Sequence, residues 1–357
     1  MFLRHRHRLL DWMTDILSST PTHTVGFIRP GNIKGILTAN PSNVEHVLKT
    51  NFDNYPKGPR FASLLRDFLG DGIFNSDADL WRSQRKMASF EFNTRSLRGF
   101  VVSTIRDEVA RRLLPALARA AERGGVVDLQ DLLERFAFDN VCRVAFGEDP
   151  ACLSEERSAA SAEFAKAFED AANLSAGRFR YAIPIMWTVK KALNIGSERR
   201  LAEAIRIVHD FATRIIKTRK QEQSASPDGD LLSRFIGWFV SYNAYAMGRM
   251  ESIWGKDCLE YRPERWLGEE DGVFKAESPF KYPVFHAGPR TCLGKEMAYI
   301  QMKSIAACVI ERFVIDVVAE MGAPSPPPPP QQMLSLTLRM KGGLRVRVRE
   351  RCAGGID

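Results

Sequence analysis

The 357-residue sequence holds no two cysteines at Cys-x-x-Cys spacing; Cys142, Cys152, Cys258, Cys292, Cys308 and Cys352 are scattered. That excludes the common zinc knots and does not read as the disulfide framework of a small secreted domain, so reduced thiols are expected. No 15-residue apolar stretch follows the basic start MFLRHRHRLLDWMTDIL. Neither a signal peptide nor a membrane span is read there. The net charge of +8 comes without a run of like charge, a zinc finger or a helix-turn-helix pattern, and nucleic acid is set aside as a partner. His5 and His7 lie among arginines with no acidic or cysteine neighbour, the pattern of a solvated basic face.

With 45% hydrophobic and 26% charged residues, the chain has ample material for a large core and is too apolar for disorder. Its basic balance favours anionic partners such as a phospholipid surface or an acidic protein. Residues 24 to 38 mix Gly and Pro with β-branched residues, as short strands and turns do. Asn40 and Pro41 then mark a helix start as N-cap and first helical residue. From about Ala78 to Arg219 apolar residues recur at three and four spacing, and Gly124, Gly125 and Gly147 punctuate the helices. Residues 222 to 229 read as an exposed loop and Asp230 to Ile236 as a helical start cut short by GWFVSYN. Residues 261 to 287 are loop-like, and a helix is expected from about Gly294 to Val318. Pro326 to Pro330 reads as a polyproline spacer, and the tail around Gly342 and Gly343 as a β-hairpin. The fold class is mainly α with a small β portion.

The segment Phe285-His-Ala-Gly-Pro-Arg-Thr-Cys-Leu-Gly294, running directly into a helix, carries the chemistry. Each of its fixed residues has a task if Cys292 binds haem iron. A thiolate is the ligating form of cysteine, and the free N–H groups and dipole of a helix start stabilise it. Gly288 permits a tight turn, and Gly294 lets the helix approach a flat ligand. Phe285 screens the sulfur, and Arg290 reaches a haem propionate with a charge-assisted hydrogen bond. The bland alternative is a surface loop with one ordinary cysteine.

This segment resembles the F-x-x-G-x-R-x-C-x-G loop of cytochromes P-450 at every specified position. Tyr261-Arg-Pro-Glu-Arg-Trp266 is similar to the P-E-R-[FW] element of that family, whose arginine, here Arg265, ties to a Glu-x-x-Arg pair. Trp81 and Arg85, four residues apart on one helix face, resemble its W-x-x-x-R propionate pair, though a core tryptophan beside a surface arginine would look the same. The finer likeness, over nearly the whole chain, is to plant fatty-acid ω-hydroxylases and oxylipin-oxidising relatives. It implies haem b (iron protoporphyrin IX), electrons from NADPH through NADPH-cytochrome reductase, and a lipid-like substrate. It also implies the endoplasmic reticulum membrane as location, yet no anchoring segment is read before the first helix; without one, the cytoplasm or a membrane surface is expected. Residues 55 to 74 correspond to the family's substrate loop. Its Phe61, Leu64, Leu65, Phe68 and Phe74 suit an acyl chain and suit plain core packing equally.

What is missing matters as much. The family's distal-face helix carries [AG]-G-x-[DE]-T, an acid and an alcohol that relay protons, and no such string occurs. No catalytic residue is therefore read as intact. Glu-x-x-Arg occurs at Glu108–Arg111 and Glu203–Arg206, far upstream of its expected place, and both are read as surface pairs. Arg265 is thus expected to lack its family partner. The chain reads as one haem-thiolate domain, with an N-terminal helical part, 1 to 236, and a haem-loop part, 237 to 357. It lacks the central distal-face helix and the Glu-x-x-Arg helix, and an internal deletion seam falls near Ile236/Gly237. Loss of a core helix predicts impaired or absent activity, a silent haem-binding remnant, or a chain that does not fold.

Overall fold

The computed structural model describes residues 5, 8–29, 33–93, 95–154, 158–181, 185–220, 239–268, 272–318, 330–333 and 335–351. The seam, the loop at 222 to 229, the helical start at Asp230 and all of the proline run except Pro330 lie outside them. The chain divides into two compact units. The first comprises Met1–Arg85, Arg178–Thr188 and Gly229–Leu293, and the second Lys86–Gly177, Val189–Asp228 and Gly294–Asp357.

In the first unit, helix α1 (Leu9–Ser19) precedes strands β1 (Thr24–Arg29) and β2 (Ile33–Thr38), which pair antiparallel. Asn40 caps α2 (Pro41–Glu45) by accepting from the Ser42 N–H at 2.9 Å, as its position before a proline predicts. A π-helical turn, His46–Thr50, follows, then α3 (Gly58–Leu69) and the start of α4 (Ala78–Asn93). The stretch GWFVSYN becomes β4 (Phe239–Tyr242), which joins β2 in parallel, with Thr38 opposite Tyr242. Leu17, Val44, Leu48, Met247, Met250, Phe280 and Ala287 form the core beneath this sheet, so the loop ahead of Cys292 is anchored in it.

The second unit is built on α5 (Arg95–Glu108), α6 (Leu114–Glu122), α7 (Leu129–Phe146), α8 (Ala159–Gly177), α10 (Ser197–Lys220) and α13 (Lys295–Arg312). The residues of helix α9 (Ile185–Ala192) are divided between the two units after Thr188, and the short α11 (Ala244–Met247) and α12 (Glu251–Trp254) belong to the first. Strands β3 (Val126–Asp128), β5 (Phe313–Val317) and β8 (Arg345–Glu350) form a sheet of order β3-β8-β5. Val346 and Val348 on β8 are buried against Ile105, Leu117, Phe136 and Phe313, while the alternate arginines face out. Asp128 caps α7, and Gly147 ends it with a left-handed φ of 68°.

Three expectations need correction. The last helix stops at Arg312, because the β-branched run after Phe313 pairs with β8. The tail is not a simple hairpin. Gly342 and Gly343 do turn the chain, but β7 (Arg339–Met340) pairs with β6 (Gln332–Met333), whereas β8 pairs with β3 and β5. Asp128 draws that turn in by accepting from the Leu344 N–H at 3.0 Å. Finally, Glu108 is not a surface group. Its side chain is buried, held by Arg112 at 2.9 Å and Arg143 at 3.3 Å, while Arg111 pairs with Asp107 instead. Arg206 does behave as expected, exposed between Glu203 and Asp210.

Candidate functional site

The loop ahead of Cys292 is fixed by backbone geometry that only its sequence allows. Gly288 has φ of 65°, and a Cβ there would lie 1.8 Å from the Leu48 carbonyl oxygen. Any other residue would drive the loop off the π-helical turn. His286 also sits in the left-handed region, at φ 58°. The Cys292 N–H donates to the Phe285 carbonyl at 2.8 Å, and the Thr291 hydroxyl donates to the Gly288 carbonyl at 2.7 Å. The Cys292 residue itself is exposed, and Phe285 is half-buried. Gly294 is the N-cap of α13, so the cysteine stands just ahead of the first turn instead of in it.

Around this loop the first unit gathers cations. Arg290 donates to Asp77 at 2.7 Å and to the Ser76 carbonyl at 3.0 Å, and its guanidinium lies 4.4 Å from the centre of the buried Trp81 ring. Arg85, one turn beyond Trp81 on α4, donates to the Thr291 carbonyl. Lys57 donates to the Phe74 carbonyl. The Lys57 and Gly58 amides both donate to Asp77, at 2.9 and 2.8 Å. Burial, then the nearby Arg290 charge, pushes the Lys57 ammonium down to about 8. Burial also lowers Arg290, with the Arg85 charge acting the same way and Asp77 opposing it. Burial lowers Arg85, and the Cys292 sulfur opposes that shift.

Lys57 and Arg290 thus share one carboxylate, Asp77, while Arg85 is held by the Thr291 carbonyl, so an excess of two positive charges is left beside the cysteine. A flat group with two carboxylates and an iron seeking one sulfur matches that excess in sign and size. Among the described residues no three His, Cys, Asp or Glu side chains converge on a metal position. The residues present fit haem. Sequence reasoning named Trp81, Arg85 and Arg290 and missed Lys57 and Asp77, which belong to no spacing motif. Their only signal was a lysine before Gly58 and an aspartate ahead of the tryptophan helix.

Arg265 has no Glu-x-x-Arg pair among its described partners and is held instead by neighbours close in sequence. It donates to the carbonyls of Asp257 at 3.0 Å and Glu260 at 3.4 Å, and pairs with the Asp257 carboxylate at 3.4 Å. Trp254, Trp266 and Tyr282 pack beside it with ring centres 5.0–5.8 Å apart. The five apolar residues read for an acyl chain do not share one setting. Leu65 is buried, Phe61 packs on Phe179 at 5.5 Å, Leu64 and Phe68 are half-buried, and Phe74 is exposed.

Comparison with known proteins accounts for this arrangement. The family model described as Cytochrome P450 matches residues 23–238 and, as a second stretch, 237–342. Cytochrome P450 CYP94D108 of Paris polyphylla is 41% identical over 460 aligned positions, covering 98% of this chain and 90% of that protein. Cytochrome P450 94B3 of Arabidopsis thaliana is 37% identical, over 98% of this chain and 89% of its own length. Since 460 positions face a chain of 357 residues, at least 103 of them have no counterpart here. The two family stretches meet where the sequence places its seam. The crystal structure of the cytochrome P450DA heme domain has a TM-score of 0.70 over 98% of this chain at 15% identity, a likeness of fold. The chain belongs to the cytochrome P450 family, the haem-dependent monooxygenases that draw electrons from NADPH through a reductase.

Proposed function

We propose that Cys292 is the axial thiolate ligand of haem in a single haem-thiolate domain whose ancestral activity is hydroxylation of fatty-acid-like substrates. The observation that carries this reading is an exposed cysteine on a glycine-locked loop beside a cation cluster with two charges in excess. Arg85 and Arg290 would hold the propionates, Lys57 would add a third cation, and Trp81 would support Arg290 from beneath. Gly288 keeps the loop seated, and the Phe285 carbonyl fixes the Cys292 amide. Gly294 starts the following helix without a side chain. When bound, haem supplies the activation of dioxygen with electrons from the reductase, and the thiolate favours O–O cleavage.

Phe61, Leu64, Leu65, Phe68 and Phe74 are the candidate acyl-chain contacts, with Leu65 serving the core as well. The membrane surface is the proposed location. In support, Ile185, Met186, Val189 and Leu193 are exposed along and just beyond α9, with Lys190 and Lys191 in its last turn. No described helix is long and apolar enough to cross a membrane.

Turnover by this chain is proposed to be impaired. The sequence has no acid–alcohol pair of the [AG]-G-x-[DE]-T type to pass protons. Val141 on α7 and Met302 and Ile310 on α13 are exposed apolar residues, consistent with a missing neighbour. A second reading, a silent haem-binding remnant, is favoured by the more than one hundred aligned positions without counterpart. The haem-loaded chain should be given reductase, NADPH and a medium-chain fatty acid, and the products analysed for hydroxy acid. Hydroxylation at a rate typical of an enzyme would overturn the impaired reading; haem retention with NADPH-independent background alone would support it.

A further inference from the structure

Two features of the first unit are left unexplained by propionate binding: a histidine in a strained conformation and the tyrosine that touches it. His286 has φ of 58°, a region that costs a residue with a Cβ and needs compensation from its surroundings. Its ring Nδ1 is hydrogen-bonded to the Tyr242 hydroxyl, and the two rings meet at 61° with centres 5.7 Å apart. Tyr242 is the last residue of β4, in register with Thr38 of β2, so the sheet delivers the phenol to this position.

The φ angle of His286 orients the peptide plane that carries the Phe285 carbonyl. That carbonyl accepts the Cys292 N–H. A line of cause therefore runs from β4 through Tyr242 and His286 to the backbone of the ligand-bearing residue. We propose that Tyr242 and His286 are a positioning pair: the phenol holds His286 in its left-handed conformation, which aims the Phe285 carbonyl at Cys292 and sets where the sulfur is presented.

The charges facing His286 agree with this role. Lys57 and Arg290 are the cations beside it, with Asp77 bound to Arg290, and Tyr242 is its neutral neighbour. Partial burial of the ring, then the Lys57 and Arg290 charges, keeps the imidazole below its usual pKa in a residue that is exposed as a whole. Burial pushes the Tyr242 phenol upward. The Tyr242 hydroxyl and the His286 Nδ1 share one hydrogen bond, with the donor set by the imidazole tautomer.

The inference rests on Cys292 as the ligand, and the test separates the two. Haem-loaded wild type, Tyr242→Phe, His286→Asn and the double variant are mixed with excess apomyoglobin, and first-order haem loss is followed. One net hydrogen bond predicts roughly two- to tenfold faster loss in each single variant. The double variant should be no faster than the singles, because both remove the same link. Asn tolerates the left-handed region, so His286→Asn isolates the loss of the ring. In the reduced carbon monoxide complex, the Soret band of each single variant should shift from the wild-type position, because the sulfur is presented to the iron differently. Wild-type rates of haem loss in both single variants, multiplying effects in the double variant, or an unmoved Soret band would overturn the pair. A thiolate-type carbon monoxide band that survives Cys292→Ala would instead overturn the ligand assignment beneath it.

Discussion

Replacing Gly288 by alanine tests the loop geometry most sharply. The new methyl carbon would stand 1.8 Å from the Leu48 carbonyl oxygen and 2.8 Å from its carbon, so backbone must move on one side. The φ of 65° adds roughly 1–2 kcal/mol for a residue with a Cβ. Overpacking of this kind costs about 1–3 kcal/mol more. The expected total of roughly 2–5 kcal/mol is a large part of the 5–15 kcal/mol that holds an ordinary domain together. Gly58 supplies the control. Its φ is 75°, yet nothing lies within 4 Å of its would-be Cβ, so Gly58→Ala carries the conformational cost alone. Urea unfolding of the two variants gives the overlap cost as a difference, and haem titration reports whether the loop still presents its cysteine. If Gly288→Ala is no more destabilising than Gly58→Ala, the close seating of the loop on the π-helical turn is wrong.

Other consequences follow from the charged groups. In Asp77→Asn, Lys57 loses the carboxylate that raises it, so its titration, followed by pH-dependent amine labelling, should fall further below about 8; an unchanged midpoint would contradict the cluster. Burial raises Glu108 to about 7, against an ordinary 4.5, because its side chain is enclosed and one carboxyl oxygen has no partner. The folded chain therefore keeps a proton that the unfolded chain releases, and this contribution, full below pH 4.5, is lost as pH rises toward 7. Glu108→Gln should flatten that part of the stability profile, by at most about 1.4 kcal/mol per pH unit; an equally steep profile in the variant would refute it. Asp257→Ala leaves Arg265 with carbonyl partners only and should lower the midpoint of thermal unfolding. No change there would mean that the carbonyls alone hold the arginine.

Local signals in the sequence were read correctly where local physics decides. Asn40 with Pro41 marked a helix start, Gly147 a helix end, and the spacing of Trp81 and Arg85 one helix face. The misses lie where a distant partner decides. The β-branched residues after Arg312 leave the helix because β8 is there to pair with them, and β8 turns from its apparent hairpin partner toward β3 and β5. Glu108 looked like a surface acid because its enclosure depends on Arg143, 35 residues away. In the site, Cys292, Gly288 and Arg290 were legible as a motif with a task for each residue. Lys57 and Asp77 were not, since a cation and a carboxylate meet there only after α3 and α4 have folded. Arg265 was expected to lack a Glu-x-x-Arg partner, and its described partners are indeed others; the carbonyls of Asp257 and Glu260 that hold it carry no signal in side-chain chemistry.

The most direct test is optical. The chain is expressed with haem supply, purified, reduced and exposed to carbon monoxide, beside a Cys292→Ala variant treated alike. A red-shifted Soret band of thiolate-ligated iron in the wild type, absent from Cys292→Ala, is the predicted result. A haem-loaded wild type without that band, or a band that persists once the sulfur is gone, would contradict the assignment of Cys292.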